Sequence, residues 1–212
     1  TTVCGHNGMM CQMMNVRPIL TCVFAFMAMI SCGGGAAEKG DLNRTRPPVA
    51  FASLEAEATQ LHATWDAVSF TDRATLPMSG RARYNGVIQM DVQQGARRTV
   101  MNGDLQLNVN FANEKVSGRA NNFVDPSDNA YSGSLAVTNS VMDRGADPTT
   151  GFTYQTDLTG RLTGNGQTID VDAGLSGDFR GAQPDATSGI VQGTVSGTGG
   201  AGFVYGDYVA ED

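Results

Sequence analysis

Residues 104–111 have the sequence DLQLNVNF, in which Asp, Gln and Asn alternate with Leu, Val and Phe. The same period of two occurs at residues 88–93 (IQMDVQ) and 169–176 (IDVDAGLS). Strict alternation of this kind predicts β-strands with one face in an apolar core and the other in water. The pattern starts after Pro77 and continues to the end of the sequence, so this part of the chain is predicted to be all-β.

Short segments rich in Gly, Asn, Asp and Pro, such as Gln94-Gly95 and Asn102-Gly103, separate the alternating segments and indicate turns. Strands placed between them number about eight, and eight strands suffice to close a narrow barrel. Because nearly every connection is short, the sequence predicts an eight-stranded antiparallel up-and-down β-barrel. The predicted strands are 81–93, 103–111, 115–124, 131–141, 151–162, 167–179, 187–197 and 202–210. The residues predicted to fill the interior include Leu105, Leu107, Val109, Phe111, Ile169, Val171, Leu175 and Phe179.

Residues 51–65 have a helical period instead. Ser53 is placed as a possible N-cap, and Trp65 is expected to plug the core. The apolar stripe consists of Leu54, Ala58, Leu61 and Trp65.

The first 32 residues indicate an exported lipoprotein. Arg17 precedes an uninterrupted small and apolar run from Pro18 to Ile30, which is too short to span a bilayer and is typical of a cleaved signal. The segment Met29-Ile30-Ser31-Cys32 is typical of a lipobox, in which the Cys32 thiol receives the lipid. The alternative is an ordinary secretory signal cut near Ser31. Residues 33–48 are small and polar, and they are predicted to form a flexible tether.

The chain therefore divides into four predicted segments. They are an upstream extension with the signal peptide (1–31), an acylated Cys32 with its tether (32–50), a short helical lead-in (51–76) and the barrel (77–212). Cys4, Cys11 and Cys22 would leave with the signal, so no cysteine pair would remain for a disulfide or a thiolate metal site.

All 21 acidic residues and 13 of the 14 basic residues follow Cys32, a net charge of −8. Such an acidic surface gains no affinity for nucleic acid from counterion release and is repelled by anionic lipid. We therefore expect no nucleic-acid partner, and we attribute membrane affinity to the lipid chains. His62 is the one histidine after Cys32, and no Ser-His-Asp set or phosphate-cradling loop is found. We therefore expect no catalytic residues, no cofactor and no enzymatic activity.

Several glycine-rich motifs resemble the β-barrel domain of transferrin-binding protein B. Together they cover residues 77–212 in the order expected for that family. The motifs are Pro77-Met78-Ser79-Gly80 leading into Ala82-Arg83-Tyr84-Asn85-Gly86, the segment Asn110 to Gly118, Leu175-Ser176-Gly177-Asp178-Phe179-Arg180-Gly181, Gly193-Thr194-Val195-Ser196-Gly197 and Tyr205-Gly206-Asp207-Tyr208-Val209-Ala210.

The resemblance implies a barrel on a lipid anchor at the outer membrane of a Gram-negative bacterium, with the membrane face left open. Members of that family bind host or nutrient proteins, haem or complement regulators. A full member has two lobes, each a barrel with a handle domain, whereas this chain has one barrel with a short helical lead-in. No contact residue of the family can be placed on this chain. We expect a non-enzymatic binding protein of the cell envelope whose partner is a protein or a small molecule; a structural lipoprotein without ligand and a carrier of a small ligand such as haem are the alternatives.

The longest predicted connections, 125–131 and 143–151, are the candidate partner-binding loops, because binding residues concentrate in loops on a rigid scaffold. Aspartates at 125–129 also suggest a weak cation site, but Asp, Pro, Ser and Asn are ordinary turn residues, so no metal is expected. The candidate binding residues are Asp125, Asp128, Tyr131, Asp143, Arg144 and Asp147.

Overall fold

Eight antiparallel strands form a closed barrel in which each strand pairs with its neighbours in sequence and the last closes on the first. The computed structural model describes residues 49–145 and 151–212; Cys32 and the predicted signal peptide and tether lie outside these residues. The predicted up-and-down barrel is thereby confirmed. The strands are β1 (Arg81–Gln94), β2 (Arg97–Asn110), β3 (Lys115–Val124), β4 (Ala130–Met142), β5 (Tyr154–Gly164), β6 (Gln167–Arg180), β7 (Ala186–Gly197) and β8 (Gly202–Glu211).

Side chains fill the interior of the barrel. All eight residues predicted to point inward are at most 4% exposed. They belong to a cluster of buried residues that includes side chains from every strand. Burial of this apolar surface, at roughly 25 cal/mol per Å², is the main stabilising contribution to the fold.

The two ends of the barrel carry different connections. End A holds the β2–β3, β4–β5 and β6–β7 connections, together with the start of β1 and the end of β8. End B holds the β1–β2, β3–β4, β5–β6 and β7–β8 connections. The two predicted binding loops therefore lie at opposite ends, since 125–129 joins β3 to β4 and residues 143–153 join β4 to β5.

The predicted turn at Asn102-Gly103 is wrong. Both residues lie inside β2, and the hairpin turn is at residues 95–96. The pairing of β2 with β3 shifts its register between Asn102 and Asp104, so Gly103 sits at a bulge. A Cβ at Gly103 would lie 2.6 Å from the ring of Phe123. Glycine stands there to admit a neighbouring strand's side chain, and not to turn the chain.

Helix α1 (Phe51–Trp65) packs on the outer wall of the barrel against β1, β2 and β8. Leu54 and Ala58 form an apolar cluster with Val87 and Val124, whose side chains lie on the outer face. Trp65, expected to plug the core, is only half-buried, and its indole N–H donates to Glu211 at 2.9 Å. Within the described residues, no helix is both long and apolar enough to cross a membrane.

Ser53 does not cap this helix. The N-cap residue is Ala50, which makes no side-chain cap hydrogen bond. Asp128, in the β3–β4 loop, instead accepts a hydrogen bond from the backbone N–H of Phe51 at 2.7 Å. A carboxylate at this position also interacts favourably with the helix dipole. The cap is therefore supplied by a residue 77 positions along the chain, which local sequence cannot indicate.

Candidate binding surface

Asp125, one of the predicted binding residues, holds the β3–β4 loop together. Its carboxylate is 6% exposed and accepts hydrogen bonds from the backbone N–H groups of Ser127 (2.9 Å) and Asn129 (3.1 Å). The side-chain amides of Asn129 (3.0 Å) and Asn165 (3.2 Å) also donate to it. Burial raises the pKa of Asp125, but these hydrogen bonds outweigh it and lower the pKa below its ordinary value. The donors saturate this carboxylate, so its role in the structure is to order the loop.

Tyr131 is not a loop residue. It lies near the start of β4, 2% exposed, with its hydroxyl 3.4 Å from a carboxylate oxygen of Asp125. Burial and the negative charge of Asp125 raise the pKa of Tyr131. Its ring packs in the barrel core. Asp128 is exposed but is engaged at the N-terminus of α1.

At end A, Arg144 joins three segments. Its guanidinium donates to the carbonyls of Leu76 (2.9 Å) and Pro77 (2.7 Å) and pairs with Glu114 at 2.8 Å. Asp143 accepts the backbone N–H of Gly145 at 2.8 Å. Asp147 lies outside the described residues. The structure thus gives several loop residues a structural role, and their binding role stays a prediction.

A different surface has the composition of a recognition site. Four large apolar side chains are between 43% and 50% exposed on the wall formed by β7, β8 and the segment before β1. Exposed apolar groups that lie together commonly mark interaction sites. We call this surface the aromatic strip; it consists of Phe70, Ile190, Phe203 and Tyr205.

Strand β8 places two of these side chains next to each other. Phe203 and Tyr205 are two residues apart and therefore share the outer face, and their ring centroids are 5.3 Å apart at an interplanar angle of 60°. Such tilted pairs are favourable for aromatic rings. On β7, Gln192 lies opposite Tyr205, and Ile190, two residues earlier in the chain, lies on the same outer face opposite Asp207. The strip is therefore held by backbone pairing on rigid strands.

Arg180 fixes the other part of the strip. Its guanidinium lies 4.5 Å from the centroid of the Phe70 ring and donates to the hydroxyl of Ser188 at 2.7 Å. It also donates to the carbonyls of Trp65 (3.1 Å) and Val68 (3.0 Å). One arginine on β6 thereby holds the segment after α1 against the barrel and sets the position of Phe70.

The groove beside Ile190 and Phe70 has a volume of about 240 Å³, and Asp66 and Asp178 in its lining are paired with Arg180 and Arg73. His62 stands between two aspartates, with Nδ1 3.2 Å from Asp66 and Nε2 3.7 Å from Asp207. Both carboxylates are at least half exposed. An apolar strip beside Asp207, a half-exposed carboxylate without an arginine partner among the described residues, suits a partner that offers apolar side chains and a basic residue.

Sequence reasoning missed this strip although a signal for it exists. In the sequence Gly202-Phe203-Val204-Tyr205-Gly206, apolar residues occupy both phases of the alternation. Val204 and Tyr208 fill the core, so Phe203 and Tyr205 must point outward. An aromatic residue at the solvent phase of a strand is the signal, and it becomes visible once the inward phase is known.

The chain is thus a small closed β-barrel protein with an aromatic patch on its outer wall. Its structure is similar to solved structures of transferrin-binding protein B from Haemophilus parasuis Hp5, the protein whose barrel the sequence resembles. For a double mutant the identity is 15% and the TM-score 0.44, over 68% of this chain and 27% of that one. For a single mutant the values are 14% and 0.41, over 68% and 28%. This chain spans about a quarter of the length of those proteins, and the likeness concerns the fold alone. No protein-family model and no curated protein matches the chain.

Proposed function

We propose that this chain is a non-enzymatic, lipid-anchored binding protein of the bacterial cell envelope, and that it engages a protein partner through the aromatic strip. The single observation that carries this proposal is the exposure of Phe203 and Tyr205 side by side on a rigid strand. Tyrosine and other aromatic residues are enriched at protein–protein interfaces and at their energetic centres.

The filled interior supports recognition on the outside of the barrel. Each strand contributes buried side chains to one core cluster, so a partner meets the outer wall and the loops. The candidate loop residues Asp128 and Asp143 are exposed and extend the surface available to a partner at the two ends.

The lipid anchor rests on the sequence. Cys32 follows an apolar run and Ser31, and a polar tether follows it. The residue after Cys32 is Gly33, which favours the outer membrane over retention in the inner one. Mass spectrometry of the native protein should find a mature terminus at Cys32 carrying lipid, and a Cys32→Ser variant should leave the membrane fraction. A different terminus, or an unmodified Cys32, would remove the anchor from the proposal.

The strip is tested with a variant that replaces Ile190, Phe203 and Tyr205 by Ser. The full chain should capture a partner from fluids in which the source organism grows, and the purified partner should then bind it directly in a titration. Because one energetic centre of an interface contributes about 2 kcal/mol or more, the variant, which removes three candidates, should bind at least about 30-fold more weakly.

A matched control removes exposed apolar side chains elsewhere. Met78 and Val141 are 77% and 67% exposed and lie outside the strip, so the variant Met78→Ser with Val141→Ser should bind like the parent chain. Equal binding by the strip variant would contradict the proposed surface. A chain that captures no partner, or pairs only with itself through the strip, would contradict the proposed function.

A further inference from the structure

Four cationic side chains lie together on the outer face of β1 and β3 near end A. In β1 they alternate with the inward residues, and in β3 they do the same, so all four are exposed to solvent. The chain as a whole has a net charge of −7, which makes this concentration of positive charge exceptional within it. We call this surface the basic face; its cations are Arg81, Arg83, Lys115 and Arg119.

These cations are not neutralised by carboxylates. Elsewhere in the described residues, five arginines form ion pairs with acidic side chains: Arg73, Arg98, Arg144, Arg161 and Arg180. Within the same residues, no carboxylate lies within ion-pair distance of the four cations of the basic face. The Arg83 guanidinium donates to Gln106 at 3.3 Å, and the Lys115 ammonium donates to the carbonyl of Ser140 at 3.1 Å. Their charge therefore remains available to an anion.

Strand β2 runs between the cations, and its three outward positions 106, 108 and 110 carry amide side chains; the next outward residue, Asp104, is a carboxylate that accepts the side-chain amide of Asn122 at 2.8 Å. Asn110 lies between Arg81 and Lys115 in the register. Asn108 lies between Arg83 and Ser117, and Gln106 lies between Asn85 and Arg119. Because neighbouring strands are about 4.8 Å apart, the two cationic strands are about 10 Å apart with the amides between them. The basic face borders a groove of about 610 Å³.

We propose that the basic face binds an anionic polysaccharide, a glycan whose sugar units carry carboxylate, sulfate or phosphate groups. Arginine recognises such oxyanions by charge-assisted hydrogen bonds. Gln106 already bonds to Arg83 and Asn85, and the oxygen of Asn110 accepts the backbone N–H of Ala112, so Asn108 and the amide group of Asn110 are the groups that can bond to sugar hydroxyls. The 10 Å interval lets two anionic groups of one glycan meet β1 and β3 while the hydroxyl groups between them lie over β2.

The composition of the face favours a glycan over other anions. None of its nine outward positions is apolar or aromatic: Arg81, Arg83, Asn85, Gln106, Asn108, Asn110, Lys115, Ser117 and Arg119. A protein partner would be expected to use apolar centres. A single-stranded nucleic acid would be expected to stack its bases on aromatic side chains.

Two carboxylates border the face on the side of β8. Glu211 is opposite Asn85 and accepts the indole N–H of Trp65 at 2.9 Å. Asp212 lines the groove and accepts the backbone N–H of Arg83 at 3.0 Å. Both weaken the attraction for an anion at β1, so Lys115 and Arg119 on β3 should hold the anionic groups of the glycan more strongly than Arg81 and Arg83 do. Asp212→Asn keeps an acceptor for the N–H and removes the repulsion, so it should strengthen binding.

The test uses four probes of similar length with the full chain: oligogalacturonate, dextran sulfate, uncharged dextran and poly-glutamate. Both anionic polysaccharides should bind, uncharged dextran should not, and poly-glutamate should bind roughly 10-fold or more weakly because it offers no hydroxyl groups to the amides. Higher salt should weaken binding, since the face is exposed.

Two variants and a matched control separate the contributions. Arg81→Gln with Lys115→Gln should weaken binding of both anionic polysaccharides by about 10-fold or more. Asn108→Ala should weaken binding of the two anionic polysaccharides and leave binding of poly-glutamate unchanged. Arg97→Gln removes an exposed arginine at end B and should change the binding of neither the anionic polysaccharides nor poly-glutamate. Equal binding of poly-glutamate and dextran sulfate, or equal losses from Arg97→Gln, would overturn the proposal in favour of unspecific charge attraction. The readout is independent of the aromatic strip, whose Ser variants should bind the polysaccharides like the parent chain.

Discussion

Arg73 forms a buried ion pair on the outer wall of the barrel. Its guanidinium lies 2.8 Å from the carboxylate of Asp178, and both side chains are at most 11% exposed. Thr153 bridges them, since its hydroxyl accepts from Arg73 at 2.9 Å and donates to Asp178 at 2.7 Å. The cluster joins the short 3₁₀ helix Arg73–Thr75 to the start of β5 and to β6.

Replacing Arg73 by Ala should cost about 3–5 kcal/mol, because it leaves the Asp178 carboxylate buried without its cation. Denaturant unfolding measures this change. Arg161→Ala is the matched control: Arg161 also pairs with an aspartate, Asp170, but its side chain is 68% exposed. Water screens that pair, so the control should barely change stability. Equal effects from the two variants would show that the buried cluster adds nothing beyond a surface pair.

Asp125 should make the stability of the barrel decrease as the pH falls into the acidic range. Its pKa is lowered in the folded protein, so its contribution is fully present above the ordinary carboxyl value of about 4 and is lost as the pH falls through the lowered pKa. The variant Asp125→Asn should therefore be less stable than the parent at neutral pH, and the difference should shrink as the pH falls below about 4. Unfolding by urea at several pH values measures it. A difference that is independent of pH would contradict the role of the charged form.

The sequence predicts which residues point into the barrel, but it does not predict the long-range hydrogen-bond partners of the loop aspartates. The inward set from Leu105 to Phe179 follows from alternation alone, because a strand has only two faces. The roles of Asp125 and Asp128 depend on Asn165 and Phe51, which are 40 and 77 positions away. Turn composition indicates that an aspartate belongs in such a loop. It does not indicate which backbone groups will reach the carboxylate.

At the scale of single elements, Gly103 shows that glycine can be required by close packing inside a strand as well as by a turn. A local pattern treats Asn-Gly as a turn, whereas the ring of Phe123 requires a residue without Cβ inside β2. Helix α1 shows the same dependence on partners. Its buried stripe of Leu54, Ala58 and Leu61 is visible in the sequence, but its docking site on Val87 and Val124 lies on the barrel's outer face, where alternation predicts solvent.

Gly103→Ala should destabilise the barrel by about 1–3 kcal/mol, because the added methyl group would sit 2.6–2.7 Å from the Phe123 ring and force a shift of β3. Gly174→Ala is the matched control inside β6. A Cβ there meets only the carbonyls of Gln192 and Thr156, at 3.8 and 3.9 Å, which are ordinary contacts. The control should be neutral or slightly stabilising, since alanine restricts the unfolded chain. Thermal unfolding of the two variants compares them, and a tolerated Gly103→Ala would show that the bulge has room.

At the scale of the whole molecule, a filled barrel leaves its outer wall for recognition. The aromatic strip is carried by β7, β8 and the segment after α1, and the basic face by β1, β2 and β3 at end A. Helix α1 covers part of the wall over β1, β2 and β8. The topology and the core could be predicted from the sequence, because both follow from periodicity and short connections. The outward position of Phe203 and Tyr205 could be predicted once the inward phase of β8 was known, but the extent of each surface could not, because each combines strands whose relative register only the closed barrel sets.

Three interior tyrosines near end A should make the barrel lose stability at high pH. Burial raises the pKa values of Tyr84, Tyr154 and Tyr208 above the ordinary tyrosine value, and nearby carboxylates add to the effect for each. The hydroxyls of Tyr154 and Tyr208 are 2.6 Å apart, and the Tyr154 hydroxyl is 2.7 Å from that of Thr187. The stability that these neutral groups contribute is fully present below the ordinary pKa of about 10 and is lost as the pH rises toward the raised values.

The barrel should therefore unfold cooperatively under alkaline conditions. Each buried tyrosine that ionises only on unfolding lowers the stability by about 1.4 kcal/mol per pH unit above pH 10, so three lower it by about 4. Against a typical domain stability of 5–15 kcal/mol, loss of the fold is expected between about pH 11 and 14. Circular dichroism and tyrosinate absorbance, followed together, should change in one step. Tyr208→Phe should make the decline of stability with pH less steep by about one third. Tyrosinate that forms well before the fold is lost would mean that water reaches the interior of the folded barrel.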